Sequence, residues 1–454
     1  MKKHLLTLIV ILFPLPAFAN QAPPSDTASS HYLAVLPAEE VMIKILSALP
    51  SVQHAQAGIA LSEAERRRLE SGPYEWNIGG ETAKRRVSGD GRYNEYNVTL
   101  ERPLRWIGKA QKDTELGSKT IELSEASYQE TLHEAARTLL SDWFEYLREY
   151  HAMQRLDEQV ELYSRLLNDI NKRLQSGDIP RMEALLAETE YKRLQATQQQ
   201  AKQRTTLQRI KLEKKYAGLP VTLPYTTLAS LPPPIQSIQP WVTQLLDDNH
   251  AITGAQLATV KARLQVERST LEQTPDPTLS LRYSSERSNE EKIIGIAISI
   301  PLPGEGRRAD QAASAAQLSM AHENERQIRT LAEQEAYSLI ARFNDNQRIA
   351  ITLAQIARQA QETATLINKA YMLGESPFAD TLLAGRQALE AQQAAEDAHL
   401  GTLEIYAQLL LDTHKLWASQ KQETDNTTLP DHASTNPPQH FSLFPQTSET
   451  TLTP

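Results

Sequence analysis

Gly177-Asp178-Ile179-Pro180-Arg181-Met182-Glu183-Ala184-Leu185-Leu186-Ala187 returns 197 residues later as Gly374-Glu375-Ser376-Pro377-Phe378-Ala379-Asp380-Thr381-Leu382-Leu383-Ala384. Both stretches read Gly-x-x-Pro-x-x-acid-x-Leu-Leu-Ala, and each lies between two long segments without proline. Glycine commonly follows the end of a helix, and proline is at home in the first turn of the next helix. Each stretch therefore predicts a tight reversal between two helices, and the chain contains this reversal twice.

The duplication extends through most of the chain. Pro103-Leu104 recurs as Pro301-Leu302, and His54-Ala55 recurs as His250-Ala251, at separations of 198 and 196 residues. This nearly constant offset predicts two tandem repeats, which are joined by a proline-rich, extended linker. The predicted segments are a signal peptide at 1–19, an N-terminal extension at 20–36, the repeats at 37–218 and 241–418, the linker at 219–240, and a C-terminal tail at 419–454 whose composition is typical of disorder.

The composition argues against several classes of protein. A basic start, a short apolar core and the Ala17-Phe18-Ala19 cleavage pattern indicate export from the cytoplasm. The net charge of −9 argues against a nucleic-acid partner, and the absence of cysteine excludes disulfides and thiolate metal sites. The 11 histidines show no pair spaced as i, i+4, and His54 and His250 are interpreted as structural. We therefore expect no cofactor, no permanent metal site and no enzyme activity.

The long segments without proline predict unusually long helices. They lie between Pro103 and Pro180 and between Pro303 and Pro377, and they are rich in strong helix formers. The expected helices are 109–174 and 307–372, with shorter ones at 38–70, 181–216, 241–271 and 378–417. Apolar residues in the first long helix recur at spacings of three and four, as in Leu132, Ala135, Ala136, Leu139, Leu140, Trp143 and Leu147. Such helices need partners along their length, and a soluble coiled-coil rod would also satisfy this pattern.

Two segments in each half alternate between apolar and polar residues and predict strands. In the second half, Ile294, Ile296 and Ile298 share one face, and Leu279 and Leu281 share a face in the preceding segment. The first-half segments alternate in the same way around Tyr74, Trp76 and Ile78 and around Tyr96, Val98 and Leu100, and Tyr74, Trp76, Tyr93, Tyr96 and Trp106 are candidate interfacial anchors. Alternation of this kind is typical of transmembrane barrel strands, although a soluble half-buried sheet explains it equally well in isolation. Because four strands are too few to close a barrel, we expect three copies to supply twelve.

At this point the chain resembles the TolC family of outer-membrane efflux proteins, over about residues 37–418 and in both halves. The resemblance implies a mainly α fold with a transmembrane β part, in a trimer whose 12-stranded β-barrel continues into a periplasmic α-helical barrel. It implies a passive outer-membrane channel that works with a periplasmic adaptor (membrane fusion) protein and an inner-membrane RND-type pump. The partners would be two further copies of the chain, these two proteins and outer-membrane lipid.

The resemblance also implies roles for the two reversals at the periplasmic end. Glu183 and Asp380, each six positions after a tip glycine, would line the aperture, where a ring of acids favours cations. The alternative is that each acid complements the dipole of the helix that it begins. The expected adaptor-docking tips comprise Ser176, Gly177, Asp178, Ile179, Pro180, Gly374, Glu375, Ser376, Pro377 and Phe378. The sequence departs from family patterns at Leu383, where some members have a second acid, and at Ser376, where some have an arginine that latches the closed tip.

The strand-to-helix junctions are similar to those of the heavy-metal branch of the family. Glu101-Arg102-Pro103-Leu104 leads to Gly108-Lys109, and Ile300-Pro301-Leu302-Pro303 leads to Gly306-Arg307. The conducted substrates are expected to be metal cations or drugs. Two other functions stay open: an exit duct for type I protein secretion, and a periplasmic coiled-coil adaptor or scaffold without a barrel.

Overall fold

The structure is a computed structural model that describes residues 35–221 and 229–417. The predicted signal peptide, almost all of the N-terminal extension, the middle of the linker and the predicted C-terminal tail lie outside these residues.

Each half of the chain contains two short helices, a β-hairpin, a very long helix and a returning helix. The first half comprises α1 (Glu39–Ser47), α2 (Pro50–Ser71), β1 (Asn77–Val87), β2 (Gly91–Pro103), α3 (Lys109–Gln175) and α4 (Arg181–Lys215). The second comprises α5 (Ile238–Asp247), α6 (His250–Leu271), β3 (Thr278–Glu286), β4 (Glu291–Ser299), α7 (Glu305–Met372) and α8 (Phe378–Asp412). The helices of 67 and 68 residues begin and end within two residues of the predicted bounds.

The prediction of one helix at 38–70 and one at 241–271 is wrong, because each segment forms two helices. Pro50 has no N–H group for a helical hydrogen bond, and it therefore begins α2 instead of continuing α1. The second break is stabilised by Asn249, whose side chain accepts a hydrogen bond of 2.9 Å from the backbone N–H of Ile252. Tyr74 and Trp76, which were expected in the first strand, precede it.

The four strands form one antiparallel sheet in the order β1-β2-β3-β4. The hairpin of the first half therefore pairs with that of the second half through β2 and β3. Within the described residues, β1 and β4 have no further strand beside them, so each leaves one edge unpaired.

The long helices pack around an apolar core at mid-length. Helix α3 packs against α8, α4 packs against α3, and α7 packs against α8. Of the seven core side chains of α3 that the spacing predicted, Ala136, Leu139, Leu140, Trp143 and Leu147 are at most 4% exposed. The other two, Leu132 and Ala135, are half-buried against the same core. They pack with Leu339, Ile340 and Phe343 of α7 and with Tyr406 and Leu410 of α8. None of the helices in 35–221 and 229–417 combines the length and apolar character needed to cross a bilayer.

Candidate functional site

The two reversals have the same backbone geometry. Gly177 and Gly374 adopt positive φ angles of 80° and 77°, which side chains other than glycine rarely tolerate. In the first reversal the N–H of Asp178 donates to the carbonyl of Arg173 at 2.9 Å, and in the second the N–H of Glu375 donates to Ala370 at 2.9 Å. These bonds and the αL glycine form Schellman motifs, which end α3 and α7 and turn the chain back.

Pro180 and Pro377 were expected in the first turn of the returning helices. They lie one position earlier, at the N-caps of these helices. Their backbones are extended, with φ of −70° and −68°, as the proline ring requires. Each repeat therefore uses glycine to leave one helix and proline to begin the next.

The predicted docking tips are only partly exposed. Ser176, Gly177, Asp178, Pro180, Gly374, Glu375 and Pro377 are exposed, and Ser376 is half-buried. The expectation of exposure is wrong for Ile179 and Phe378, which are 8% and 1% exposed. Both belong to an apolar cluster between the two helical hairpins, which are α3 with α4 and α7 with α8. In this cluster the Phe378 ring lies 5.2 Å from the Tyr371 ring. These two buried side chains help to hold the two reversals together.

Glu183 takes part in a contact between the two repeats that sequence reasoning missed. The hydroxyl of Tyr371, in the last turn of α7, donates to Glu183 Oε2 at 3.0 Å. Arg173, in the last turn of α3, donates from Nη1 to the same hydroxyl at 3.2 Å, and its guanidinium lies 5.3 Å from the ring centroid. Burial, and then the hydrogen bond to Glu183, raise the pKa of Tyr371, so its hydroxyl stays protonated and able to donate.

Asp380 has different surroundings, although it occupies the equivalent position. It is exposed, and its Oδ2 accepts a hydrogen bond of 3.4 Å from Ser376 within the same turn. The asymmetry follows from the sequence, since the first-repeat residue that corresponds to Tyr371 is Leu174, which has no hydroxyl to donate. Glu183 and Asp380 both lie in the first turn of a helix, where a carboxylate is favoured by the helix dipole.

A second contact between the repeats lies seven residues further along α4. Glu190 is 3% exposed and accepts hydrogen bonds of 3.2 and 2.7 Å from Nε and Nη2 of Arg386 on α8. Arg193 also donates to Glu190 at 2.6 Å. Burial alone would raise the pKa of Glu190, but the hydrogen bonds from Arg193 and Arg386 outweigh it and lower this pKa. Glu190 is therefore a charged, paired carboxylate between the hairpins.

The sheet has one apolar face and one polar face. Residues directly opposite in the register lie on the same face, and one such row runs across all four strands: Ile78, Leu100, Leu281 and Ile296. The neighbouring row contains Val98, Tyr283 and Ile294. We call these seven residues the apolar face of the sheet. Ile78, Ile294 and Ile296 are 74–76% exposed, so the described chain leaves this face largely uncovered.

The opposite face consists mainly of polar or small residues. One row contains Asn77, Glu101, Ser280 and Ala297, and another contains Gly79, Thr99, Arg282 and Gly295. The alternation predicted from the sequence is therefore present in β2, β3 and β4 and aligned between strands. This alignment depends on the register between strands, which alternation within a single strand does not reveal.

Three histidines also come together at mid-length. One ring nitrogen from each of His133, His250 and His414 lies within 4.8 Å of the others. These residues belong to α3, the start of α6 and the segment after α8, and their separation in sequence hid them from any search for motif spacing.

No protein-family model matches the sequence, and no curated protein matches it. Among solved structures, the outer membrane protein VceC of Vibrio cholerae is 18% identical over 87% of this chain and 99% of its own, with a TM-score of 0.68. The CmeC outer membrane channel of Campylobacter jejuni is 14% identical over 91% and 93%, with a TM-score of 0.70. CusC is 16% identical over 82% and 91%, with a TM-score of 0.61. The chain therefore has the fold of outer-membrane channels, and the resemblance drawn from the sequence is confirmed in this respect.

Proposed function

We propose that the chain is a subunit of an outer-membrane channel, the passive exit component of a tripartite efflux system. The observation that carries this proposal is the uncovered apolar face of the sheet, which lies opposite a polar face. A contiguous exposed apolar surface needs a membrane or a partner to cover it. Bilayer lipid covers such a face in transmembrane barrels, whose strands alternate apolar-out and polar-in.

The unpaired edges of the sheet support a closed assembly. If β1 of one copy pairs with β4 of the next, every strand gains two neighbours, and three copies supply twelve strands. Transmembrane barrels need about eight or more strands, so three copies suffice where one does not. Helices α4 and α7, which flank the pair of α3 and α8, also expose apolar side chains. These include Leu185, Leu207 and Ile210 on α4 and Ile349, Ile356 and Leu366 on α7. Contact between α4 and α7 of adjacent copies would cover them and form the periplasmic tube.

The reversals would form the narrow periplasmic end of this tube. We propose that Asp380 lines the aperture and that Glu183, with Tyr371, latches the two hairpins of each subunit in the closed state. Three exposed Asp380 carboxylates would favour the entry of cations. The exposed tip residues, without Ile179 and Phe378, would contact the periplasmic adaptor, and an inner-membrane RND-type pump would supply the substrate. The acid ring favours metal cations as cargo, in line with the junction similarity to the heavy-metal branch.

Location and assembly are tested together by fractionation. We expect the chain in the outer-membrane fraction as a trimer that dissociates on heating, with discrete conductance steps in planar bilayers. A monomer in the soluble periplasmic fraction would overturn the proposal and support the scaffold alternative.

Cargo is tested by deleting the gene and challenging cells with metals, drugs and detergents. Sensitivity to zinc, cadmium or cobalt alone is the result expected for metal efflux. Sensitivity to drugs and detergents would overturn the metal assignment but retain the efflux channel. Unchanged resistance to every compound, with loss of a secreted protein from the medium, would overturn efflux in favour of secretion.

A further inference from the structure

The histidines at mid-length have the geometry of a metal-binding site. One nitrogen from each ring lies within 4.8 Å of the other two. In a tetrahedral zinc site with Zn–N bonds of about 2.0 Å, the ligand nitrogens are about 3.3 Å apart. Small side-chain rotations would close that difference. Three imidazoles with a fourth position open to water form a common zinc coordination set.

Two of the rings are oriented by oxygen acceptors. Nε2 of His133 lies 3.1 Å from Oδ1 of Asp412, which also accepts a hydrogen bond of 2.8 Å from Arg137. Nε2 of His414 lies 3.1 Å from the backbone carbonyl oxygen of Asp248. An imidazole that donates through Nε2–H keeps its lone pair on Nδ1, and metal-binding histidines are commonly fixed in this way by a carboxylate or carbonyl.

The third ring packs against the other two. The centroid of the His250 ring lies 5.0 Å from that of His414 and 5.8 Å from that of His133, so the three imidazoles face one another across a small space.

The cluster also has a route for a cation. His250 lines a cleft of about 560 Å³ that Glu130 and Glu134 of α3 border. All three histidines are half-buried, so the rings are reachable from solvent without unfolding. Carboxylates on the wall of the cleft would raise the local concentration of cations.

We propose that His133, His250 and His414 bind one divalent transition-metal ion per chain, with zinc(II) as the representative. The ion would tie the long helix of the first repeat to the start of α6 and to the segment after α8. This site is separate from the reversals, and its test does not depend on conduction.

The duplication provides a matched control. His54 is the counterpart of His250 in the first repeat, and it is exposed. The first-repeat counterpart of His414 is Ala217, and the second-repeat counterpart of His133 is near Thr330, so the first-half position lacks the other two ligands. His54→Ala therefore removes an equivalent histidine without touching the cluster.

The experiment is a zinc titration of the purified full chain against a chromogenic chelator. We expect one zinc per chain in the wild type and in His54→Ala, and none above background in His250→Ala. His414→Asn is a second variant. His414 has a positive φ of 53°, and asparagine adopts this backbone conformation more readily than most residues. Asp412→Asn, which alters the partner of His133 and removes the charge paired with Arg137, should weaken binding by about 10–100-fold. Magnesium should not compete, since it prefers oxygen ligands.

Circular dichroism establishes that each variant is folded, and the visible absorption of bound cobalt(II) reports nitrogen coordination independently of affinity. A folded wild type that binds no zinc would overturn the proposal. Zinc binding that is unchanged in both His250→Ala and His414→Asn would also overturn it, because the ion would then lie elsewhere.

Discussion

Replacing Tyr371 with phenylalanine removes one hydroxyl group and keeps the ring that packs 5.2 Å from Phe378. The lost hydroxyl donates to Glu183 at 3.0 Å and accepts from Arg173 at 3.2 Å. Hydrogen bonds to charged groups contribute about 1.5–3 kcal/mol. Because Glu183 is half-buried and water can replace part of the interaction, the lower end applies.

A loss of about 1.5 kcal/mol corresponds to roughly a 12-fold change in an equilibrium constant. If the contact exists only in the closed tip, Tyr371→Phe raises the ratio of open to closed by that factor in each subunit. Single-channel recording in planar bilayers measures this as a higher open probability at low voltage. Hydrogen exchange at the amides of 176–182 should accelerate in parallel, since the first reversal loses its tie to α7.

Tyr150→Phe is the matched control, because it removes a hydroxyl that accepts a bond of 2.9 Å from Gln154 within the same helix. It should leave both measurements unchanged. Glu183→Gln should open the tip as Tyr371→Phe does, and the double variant should show less than the sum of the two effects. The latch would be refuted if Tyr371→Phe and Tyr150→Phe gave the same open probability and the same exchange rates.

Three further predictions concern stability and assembly. The lowered pKa of Glu190 implies a stabilising contribution that is complete above the unfolded carboxyl pKa of about 4.3 and is lost as pH falls through the folded value. The difference in unfolding midpoint between wild type and Glu190→Gln should therefore be largest at neutral pH and shrink in acid. Lys109 is fully buried between two carboxylates at 2.9 Å. Lys109→Ala should cost about 3–5 kcal/mol in denaturant unfolding, whereas Lys172→Ala, which removes an exposed pair with Asp169, should cost at most about 1 kcal/mol. Ile296→Arg should cost about 2–4 kcal/mol and deplete heat-sensitive trimers from outer-membrane fractions, whereas Ala297→Arg on the polar face should not; equal depletion would contradict the assignment of the faces.

The sequence predicts those features of the fold that depend only on residues close together in the chain. Gly177 and Gly374 mark the reversals because only local backbone geometry decides where a helix ends. The length of α3 follows from its composition, and the apolar face follows from alternation within single strands. The break at Pro50 had a local signal as well, and the expectation of one helix gave that proline too little weight.

Contacts between distant segments could not be predicted in this way. Tyr371 and Glu183 are 188 residues apart, and the three histidines come from three separate segments. Neither set has a spacing that a periodicity or a motif would reveal. Their proximity depends on how the helices of the two repeats pack against each other.

Duplication followed by divergence explains why the two reversals are not interchangeable. The latch needs Tyr371 from the second repeat and Glu183 from the first, and Leu174 prevents its mirror image. The pair of Glu190 and Arg386 also joins the repeats, about 10.5 Å further along α4 at about 1.5 Å per residue. Because Glu190 is buried and accepts hydrogen bonds from both Arg193 and Arg386, while the latch depends on a single hydroxyl, separation of the hairpins should begin at the tip and stop at Glu190. A movement with that pivot would displace the exposed Asp380 carboxylates and leave the core at mid-length intact.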